Sequence, residues 1–324
     1  MKNINKDIKE LQFKKIYLLY GDEDYLIKMY RDKLMDAITG NDPMNTMKYE
    51  GDKIDIQSLI DDINTAPFFA DYRLILIENT NLFKKANDDL VETIGNVPDG
   101  TVVVFVQKEV DKRGKLFKQI KANGYPCEMG YLSEGDLFNW TLKKFNSENK
   151  KISRDTLNLF LSKTDGDMYM VSNEIAKLVS YVGEREEIVN KDVEEVCHAP
   201  ITGKIFDMTD AMSQKNKKRT MELYYDLIAA KESPTYILTM LIRQFDILLE
   251  VKELSDKGYG MDMISKEMQV HSFVVKKCLS QIRSFDKKTL KVAYKSSVRI
   301  MERIRNGLID EKIGVEILLM RYSG

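Results

Sequence analysis

Apolar residues in the first 130 positions fall into short unbroken runs. Ile16-Tyr17-Leu18-Leu19-Tyr20, Leu74-Ile75-Leu76-Ile77 and Val102-Val103-Val104-Phe105-Val106 are aliphatic-rich and bounded by polar sequence. Such runs predict strands buried on both faces of a parallel sheet. Helical spacing separates them. Tyr25, Leu26, Met29 and Leu34 follow Gly21, and Leu82 to Ile94 is predicted to return as a helix between the last two strands. Alternating strand and helix predicts an α/β domain over residues 1–135.

From Gly135 onward the strand pattern stops. Leu137, Phe138, Trp140, Leu142 and Phe145, then Leu157, Phe160 and Leu161, fit helical stripes, and Val171, Ile175, Leu178 and Val179 form another after the break at Gly166. Residues 136–200 are therefore expected to be a small helical domain. Beyond Ala199-Pro200 the amphipathic segments lengthen, the clearest having Leu238, Leu241, Ile242, Phe245, Leu248 and Leu249 on one side. A helical bundle is expected within residues 201–324, from about residue 205 on.

The chain has 324 residues, 43% apolar and 31% charged, an ordinary globular balance. No apolar run approaches the roughly 18 residues that span a bilayer. The opening Met1-Lys2-Asn3-Ile4-Asn5-Lys6 has no apolar region of a secretory signal. The expectation is a cytoplasmic protein without membrane contact. The net charge of −1 hides a gradient: residues 1–135 carry 19 basic and 23 acidic groups, 136–200 carry 9 and 12, and 201–324 carry 22 and 16.

Side chains suited to catalysis are sparse. Cys127, Cys197 and Cys278 lie far apart, without Cys-x-x-Cys spacing, and read as buried apolar groups. His198 and His271 are the only histidines, too few for most catalytic metal sites. Cys197 and His198 are neighbours, and neighbours on a regular element do not face each other. No metal and no catalytic residue is expected.

In such a fold a phosphate-binding loop would follow the first strand. That turn reads Gly21-Asp22-Glu23-Asp24-Tyr25-Leu26, without the Gly-x-x-x-x-Gly-Lys-Ser/Thr spacing that surrounds phosphates with amides and a lysine. Its carboxylates suit a helix cap and would repel a triphosphate. Gly114-Lys115 and Gly203-Lys204 are followed by Leu116 and Ile205, so neither completes the motif. The strand Leu74 to Ile77 ends in a single Glu78 rather than an Asp-Glu pair, which reads as a solvated strand end. No cofactor is expected.

Pro67-Phe68-Phe69 sits just ahead of the second strand. Adjacent side chains diverge by about 100° on a helix and about 180° on a strand, so two neighbouring rings do not share one core. One ring needs either a bent loop or another protein. In the basic last third, Lys287, Lys291, Lys295, Arg299 and Arg303 recur every four residues and form a drifting positive stripe on one helix. It is a solvated face, or a surface for phosphates or a partner. Residues 264–282 read as helix, turn and helix with Lys276 and Lys277 on the second, a pattern shared by DNA-binding helix-turn-helix units and by plain helix packing.

These features together resemble the delta-subunit family of the bacterial clamp loader. The likeness spans the chain and is carried by Leu18-Leu19-Tyr20-Gly21, by Pro67-Phe68-Phe69-Ala70 before the strand, by Ile242-Arg243-Gln244-Phe245-Asp246-Ile247-Leu248-Leu249 and by Val270-His271-Ser272-Phe273-Val274-Val275-Lys276-Lys277. The resemblance implies an AAA+-like parallel-sheet domain at 1–135, a helical lid at 136–200 and a collar bundle at 201–324. It further implies a subunit of the DNA polymerase III holoenzyme that binds the beta sliding clamp and opens it without hydrolysing ATP. The clamp-binding residues it implies are Pro67, Phe68 and Phe69, although family members often carry a leucine first.

Partner subunits, the ATPase tau/gamma and delta-prime chains, would meet residues 205–324, with primed DNA inside the assembly. The sibling delta-prime subunit fits less well, because a Ser-Arg-Cys motif and clustered cysteines are missing. Two other classes stay open at this point: an NTPase with a non-standard nucleotide site, and a DNA-binding regulator built on 264–282.

Overall fold

A computed structural model describes residues 1–85, 87–164, 166–197, 201–270, 272–285 and 287–324. His198, His271 and the Ala199-Pro200 junction lie outside the described residues, so of the Cys197-His198 pair only Cys197 is described. The chain forms two compact units, Met1–Tyr131 and Leu132–Gly324.

The first unit runs α1 (Lys2–Glu10), β1 (Ile16–Tyr20), α2 (Asp24–Thr39), β2 (Thr46–Glu50), α3 (Ile56–Asn64), β3 (Arg73–Glu78), α4 (Asp88–Gly95), β4 (Thr101–Gln107), α5 (Lys115–Asn123) and β5 (Tyr125–Glu128). All five strands are parallel, in the order β2-β3-β4-β1-β5. Successive side chains alternate between faces. Ile16, Leu18, Ile75, Ile77, Val103 and Phe105 pack with Leu59, Ile63, Leu90, Ile94, Leu116 and Ile120 of α3, α4 and α5, while α2 lies against β1, β3 and β4. With both faces covered, the central strands lose the polar alternation, which is why they read as solid apolar runs.

Two strands were not foreshadowed. Edge strand β2, Thr46-Met47-Lys48-Tyr49-Glu50, is half solvated, and edge strand β5 carries Pro126, tolerated where one side of the strand has no neighbour. The helix expected over Leu82 to Ile94 starts only at Asp88. Asn87 caps it by accepting from the Leu90 amide at 3.0 Å, and Leu82 and Phe83 enter the core from the preceding turn.

The second unit continues with α6 (Glu134–Ser147), β6 (Lys151–Ile152), α7 (Arg154–Ser162), α8 (Met168–Val182), β7 (Glu187–Ile188) and α9 (Asn190–Val196). The expectation of helices alone from Gly135 on is corrected by β6 and β7, which pair in parallel; two residues per strand are too few to show a period. There follow α10 (Ile201–Ser213), α11 (Lys217–Ala229), α12 (Pro234–Asp256), α13 (Met261–Met268), α14 (Ser272–Gln281), α15 (Lys287–Arg305) and α16 (Glu311–Tyr322).

Helix α12 is the axis of this bundle, touching α10, α13, α14, α15 and α16. Ser233 caps it and Pro234 occupies its first turn, where a missing N–H is harmless. Leu238, Leu241, Phe245 and Leu248 are fully buried, and Ile242 and Leu249 flank them half-buried. The mixed α/β sheet unit followed by helices agrees with the fold class expected from the sequence.

Candidate functional site

A parallel sheet brings the amino ends of adjacent strands to one edge. The segments before β2, β3 and β4 therefore meet, and Pro67, Phe68 and Phe69 lie among them. The stretch from Thr65 to Tyr72 is tied down at both ends. Thr65 Oγ1 donates to the Asp61 carbonyl at 2.8 Å, and Arg73 Nη2 bridges back to Asp62 at 2.9 Å. Tyr49 of β2 also donates to Asp62, and Tyr72 packs edge to face on Phe13, with centroids 5.2 Å apart.

The middle of the stretch is held by Asn45, which is 1% exposed. Its Oδ1 accepts from the Phe68 amide at 2.7 Å, and its Nδ2 donates to the Phe68 carbonyl at 3.0 Å and to Asp42 Oδ2 at 2.7 Å. The bond from Asn45 Nδ2 and the Met44 amide hold the Asp42 carboxyl below its ordinary pKa. Asn45 also accepts from the Leu74 amide through its own carbonyl at 2.8 Å. Sequence reasoning missed Asn45. Its one local signal is a turn-forming Asp42-Pro43 two residues ahead, and the bonds it makes to Phe68 cross 23 positions.

Pro67 is half-buried against Gly100, the residue before β4. Gly100 has φ +81°, and a β-carbon there would stand 3.0 Å from Pro67 Cγ. Above this floor Phe68 is 53% exposed and Phe69 96%. Phe69 sits at φ +49°, a left-handed backbone that costs a side chain with a β-carbon roughly 1–2 kcal/mol. The ring is thus held in solvent on a strained backbone, above a fixed loop.

The opposite edge of the sheet, about 20 Å away along a six-residue strand, is where ligands bind in open parallel sheets. Here the β1–α2 turn is closed. Gly21 N–H donates to the Lys108 carbonyl at 3.2 Å and Glu23 N–H to the Met129 carbonyl at 2.9 Å. Gly21 has φ +132°, and a β-carbon on it would stand 2.4 Å from the Met129 oxygen. Glu23 is buried and caps α2 through the Tyr25 amide. Two amides that an anion would require thus face carbonyls instead. Glu78 is not the solvated end expected of it: its side chain is 15% exposed and accepts from Arg31 Nη1 at 2.9 Å. Among the described residues no group of three or more His, Cys, Asp or Glu side chains is placed to hold a metal ion.

On α15 the basic residues separate into two kinds. Lys287 reaches Asp256 at 3.5 Å, whereas Lys291, Lys295, Arg299 and Arg303 are exposed, with no ion-pair partner among the described residues. In the helix-turn-helix segment, α13 and α14 join through Gln269 at φ +52°, and Ile264, Val275 and Cys278 face inward. Both lysines of α14 have internal partners. Lys276 binds Glu134 at 2.8 and 3.0 Å, and Lys277 lies over the rings of Phe206 and Phe273 at 5.3 and 4.5 Å. No helix among the described residues is long and apolar enough to cross a membrane.

Comparison with known proteins bears on this architecture. The family model for the DNA polymerase III delta subunit matches residues 17–128, and that for its C-terminal domain matches residues 202–322. The DNA polymerase III subunit delta of Bacillus subtilis (strain 168) is 25% identical over 331 residues, spanning 98% of this chain and 95% of that protein. The probable DNA polymerase III subunit delta of Aquifex aeolicus (strain VF5) is 22% identical over 300 residues, spanning 88% and 85%. Among solved structures, the Bacillus subtilis DNA clamp loader delta protein matches with a TM-score of 0.87 at 23% identity, covering 99% of each chain, a likeness of fold. Since the two models describe successive parts of one family and together take in both the sheet and the bundle, the chain belongs to the DNA polymerase III delta-subunit family.

Proposed function

We propose that this chain binds the beta sliding clamp through Phe68 and Phe69, with Pro67 shaping their approach, and opens the clamp ring without hydrolysing a nucleotide itself. The observation that carries this reading is the 96% exposure of Phe69 on a loop fixed by Asn45, Asp62 and Gly100. Phe69 enters a clamp pocket more deeply than Phe68, which is already half covered.

A phenylalanine ring offers roughly 150–250 Å² of surface, and at about 25 cal/mol per Å² the pair supplies roughly 6–9 kcal/mol gross once the covered part of Phe68 is discounted. That is comparable to the cost of association. Ring opening requires in addition that the site bind the open clamp better than the closed one, since equal affinity for both shifts nothing.

In this reading residues 1–135 form the clamp-binding AAA+-like part, residues 136–200 the lid, and residues 201–324 the collar that meets the ATPase tau/gamma and delta-prime subunits. The exposed charges Lys291, Lys295, Arg299 and Arg303 face primed DNA or a neighbouring subunit, with Lys287 at the start of the stripe. The closed β1–α2 turn disfavours an NTPase, and the engaged Lys276 and Lys277 disfavour a sequence-reading helix-turn-helix.

Calorimetric titration of the chain into the cognate sliding clamp, without nucleotide, tests the proposal. Binding is expected for the wild type, with loss in the Phe68→Ala, Phe69→Ala double variant. A double variant that binds as the wild type does would refute the assignment of the rings.

A further inference from the structure

The geometry points to Asn45 as the positioning residue of the two-ring surface: a buried amide that holds Phe68 from a neighbouring loop and fixes where Phe69 stands. As a statement about partner binding it rests on the clamp reading above; as a statement about the free chain it stands alone.

Three observations converge on it. The contact is reciprocal, since Asn45 Oδ1 accepts from the Phe68 amide and Nδ2 donates to the Phe68 carbonyl. One side chain thus satisfies both backbone polar groups of one residue, as a neighbouring strand does in a sheet. Asn45 is itself immobilised, with its Nδ2 also on Asp42, its carbonyl on the Leu74 amide, and 1% of its surface exposed. At the tip of the segment the side chains supply little anchorage, because Phe68 is half exposed and Phe69 stands almost wholly in solvent.

A loop carrying exposed aromatics gains nothing from burying them in the free protein, so its order has to come from its backbone. Without Asn45, two polar groups of Phe68 turn to water and the left-handed backbone of Phe69 has no reason to persist. The rings would then be ordered anew at each encounter, and partner affinity would fall for entropic reasons with the apolar surface unchanged. An isosteric carboxylate cannot replace the amide, because it keeps the acceptor for the Phe68 amide, loses both donors and faces the Asp42 carboxylate.

The test uses the 324-residue wild type, Asn45→Ala and Asn45→Asp, with Phe68→Ala plus Phe69→Ala as the reference. Native-state hydrogen exchange of the Phe68 amide is followed in the free chain, with Ile75 and Val103 amides reporting the sheet. For Asn45→Ala, Phe68 exchange is expected to accelerate about 10- to 100-fold, the scale of one or two lost buried hydrogen bonds, with sheet protection unchanged. Affinity for the sliding clamp is expected to fall about tenfold, less than in the ring-deleted reference.

Asn45→Asp, which keeps only the acceptor for the Phe68 amide, is expected to accelerate Phe68 exchange by a smaller factor, about two- to tenfold, and to bind between wild type and Asn45→Ala; it decides the matter on both readouts if the alanine variant does not fold. Unchanged Phe68 exchange in a folded variant overturns the inference. So does clamp affinity within about twofold of wild type, a change smaller than one hydrogen bond, when the ring-deleted reference has lost binding. If the reference also binds normally, the clamp reading falls, and Phe68 exchange alone judges the role of Asn45.

Discussion

The rings of Phe68 and Phe69 pack on each other, edge to face, with centroids 4.7 Å apart and planes at 80°. Neighbouring side chains meet in this way only because the backbone turns back at Phe69, where φ is +49°. The turn brings two divergent side chains into one solvent-facing pair.

Replacing Phe69 by glycine separates stability from function. Glycine adopts a left-handed backbone without strain, and the exposed ring makes little contribution to the fold, so Phe69→Gly is expected to unfold in urea within about 1 kcal/mol of wild type, on the stable side if strain relief dominates. Clamp binding is expected to be lost. Calorimetry and denaturant melts on the same variant check both.

Gly100 provides a second test, from beneath the loop. A β-carbon at φ +81° and 3.0 Å from Pro67 Cγ strains the backbone and pushes the proline. Gly100→Ala is expected to lower stability by about 1–3 kcal/mol and to weaken clamp binding by displacing Pro67. Chemical denaturation and titration report the two effects.

The central sheet was legible because β1, β3 and β4 are buried on both faces, which leaves unbroken apolar runs. The edge strands were not, since Thr46 to Glu50 is half polar and Tyr125 to Glu128 holds a proline. Phe68 and Phe69 were legible as rings that could not share a core, and both are exposed. Asn45 was invisible for a different reason: a buried asparagine is recognised by what it bonds, and its partner is 23 positions away. In the bundle, hydrophobic spacing found Phe245 but not its neighbour Gln244, which is buried beside Gln281 and satisfied by it at 3.3 Å.

Nucleotide binding offers a sharp negative test of the closed β1–α2 turn. A ligand present at about 100 times its dissociation constant stabilises a protein by about 2.7 kcal/mol. Millimolar magnesium ATP is expected to leave the melting temperature of the isolated chain unchanged. A rise of several degrees would mean that Gly21 and Glu23 release their carbonyl partners to admit phosphate.

Buried thiols make alkaline stability informative. Burial, reinforced by the charge of Glu174, pushes the Cys197 pKa up to about 12, and burial opposed by Gln244 pushes Cys278 up to about 12, against an ordinary 9.0. A group whose folded pKa is raised lends full stability below its unfolded pKa and loses it as pH climbs through the folded value. The contribution of these two thiols to stability is therefore expected to be level below about pH 9 and to fall between about pH 9 and 12. At pH 8 neither thiol should react with a thiol reagent until denaturant is added, which mass spectrometry of the labelled chain resolves.

The most direct measurement is release of the sliding clamp from a nicked circular DNA by this chain alone, without ATP, followed as loss of labelled clamp from the circle. Wild type is expected to accelerate release, and Phe68→Ala plus Phe69→Ala, equally folded, is not. Release unaffected by the wild-type chain at concentrations where it binds the clamp would contradict ring opening. Equal acceleration by the double variant would contradict the two rings as its cause.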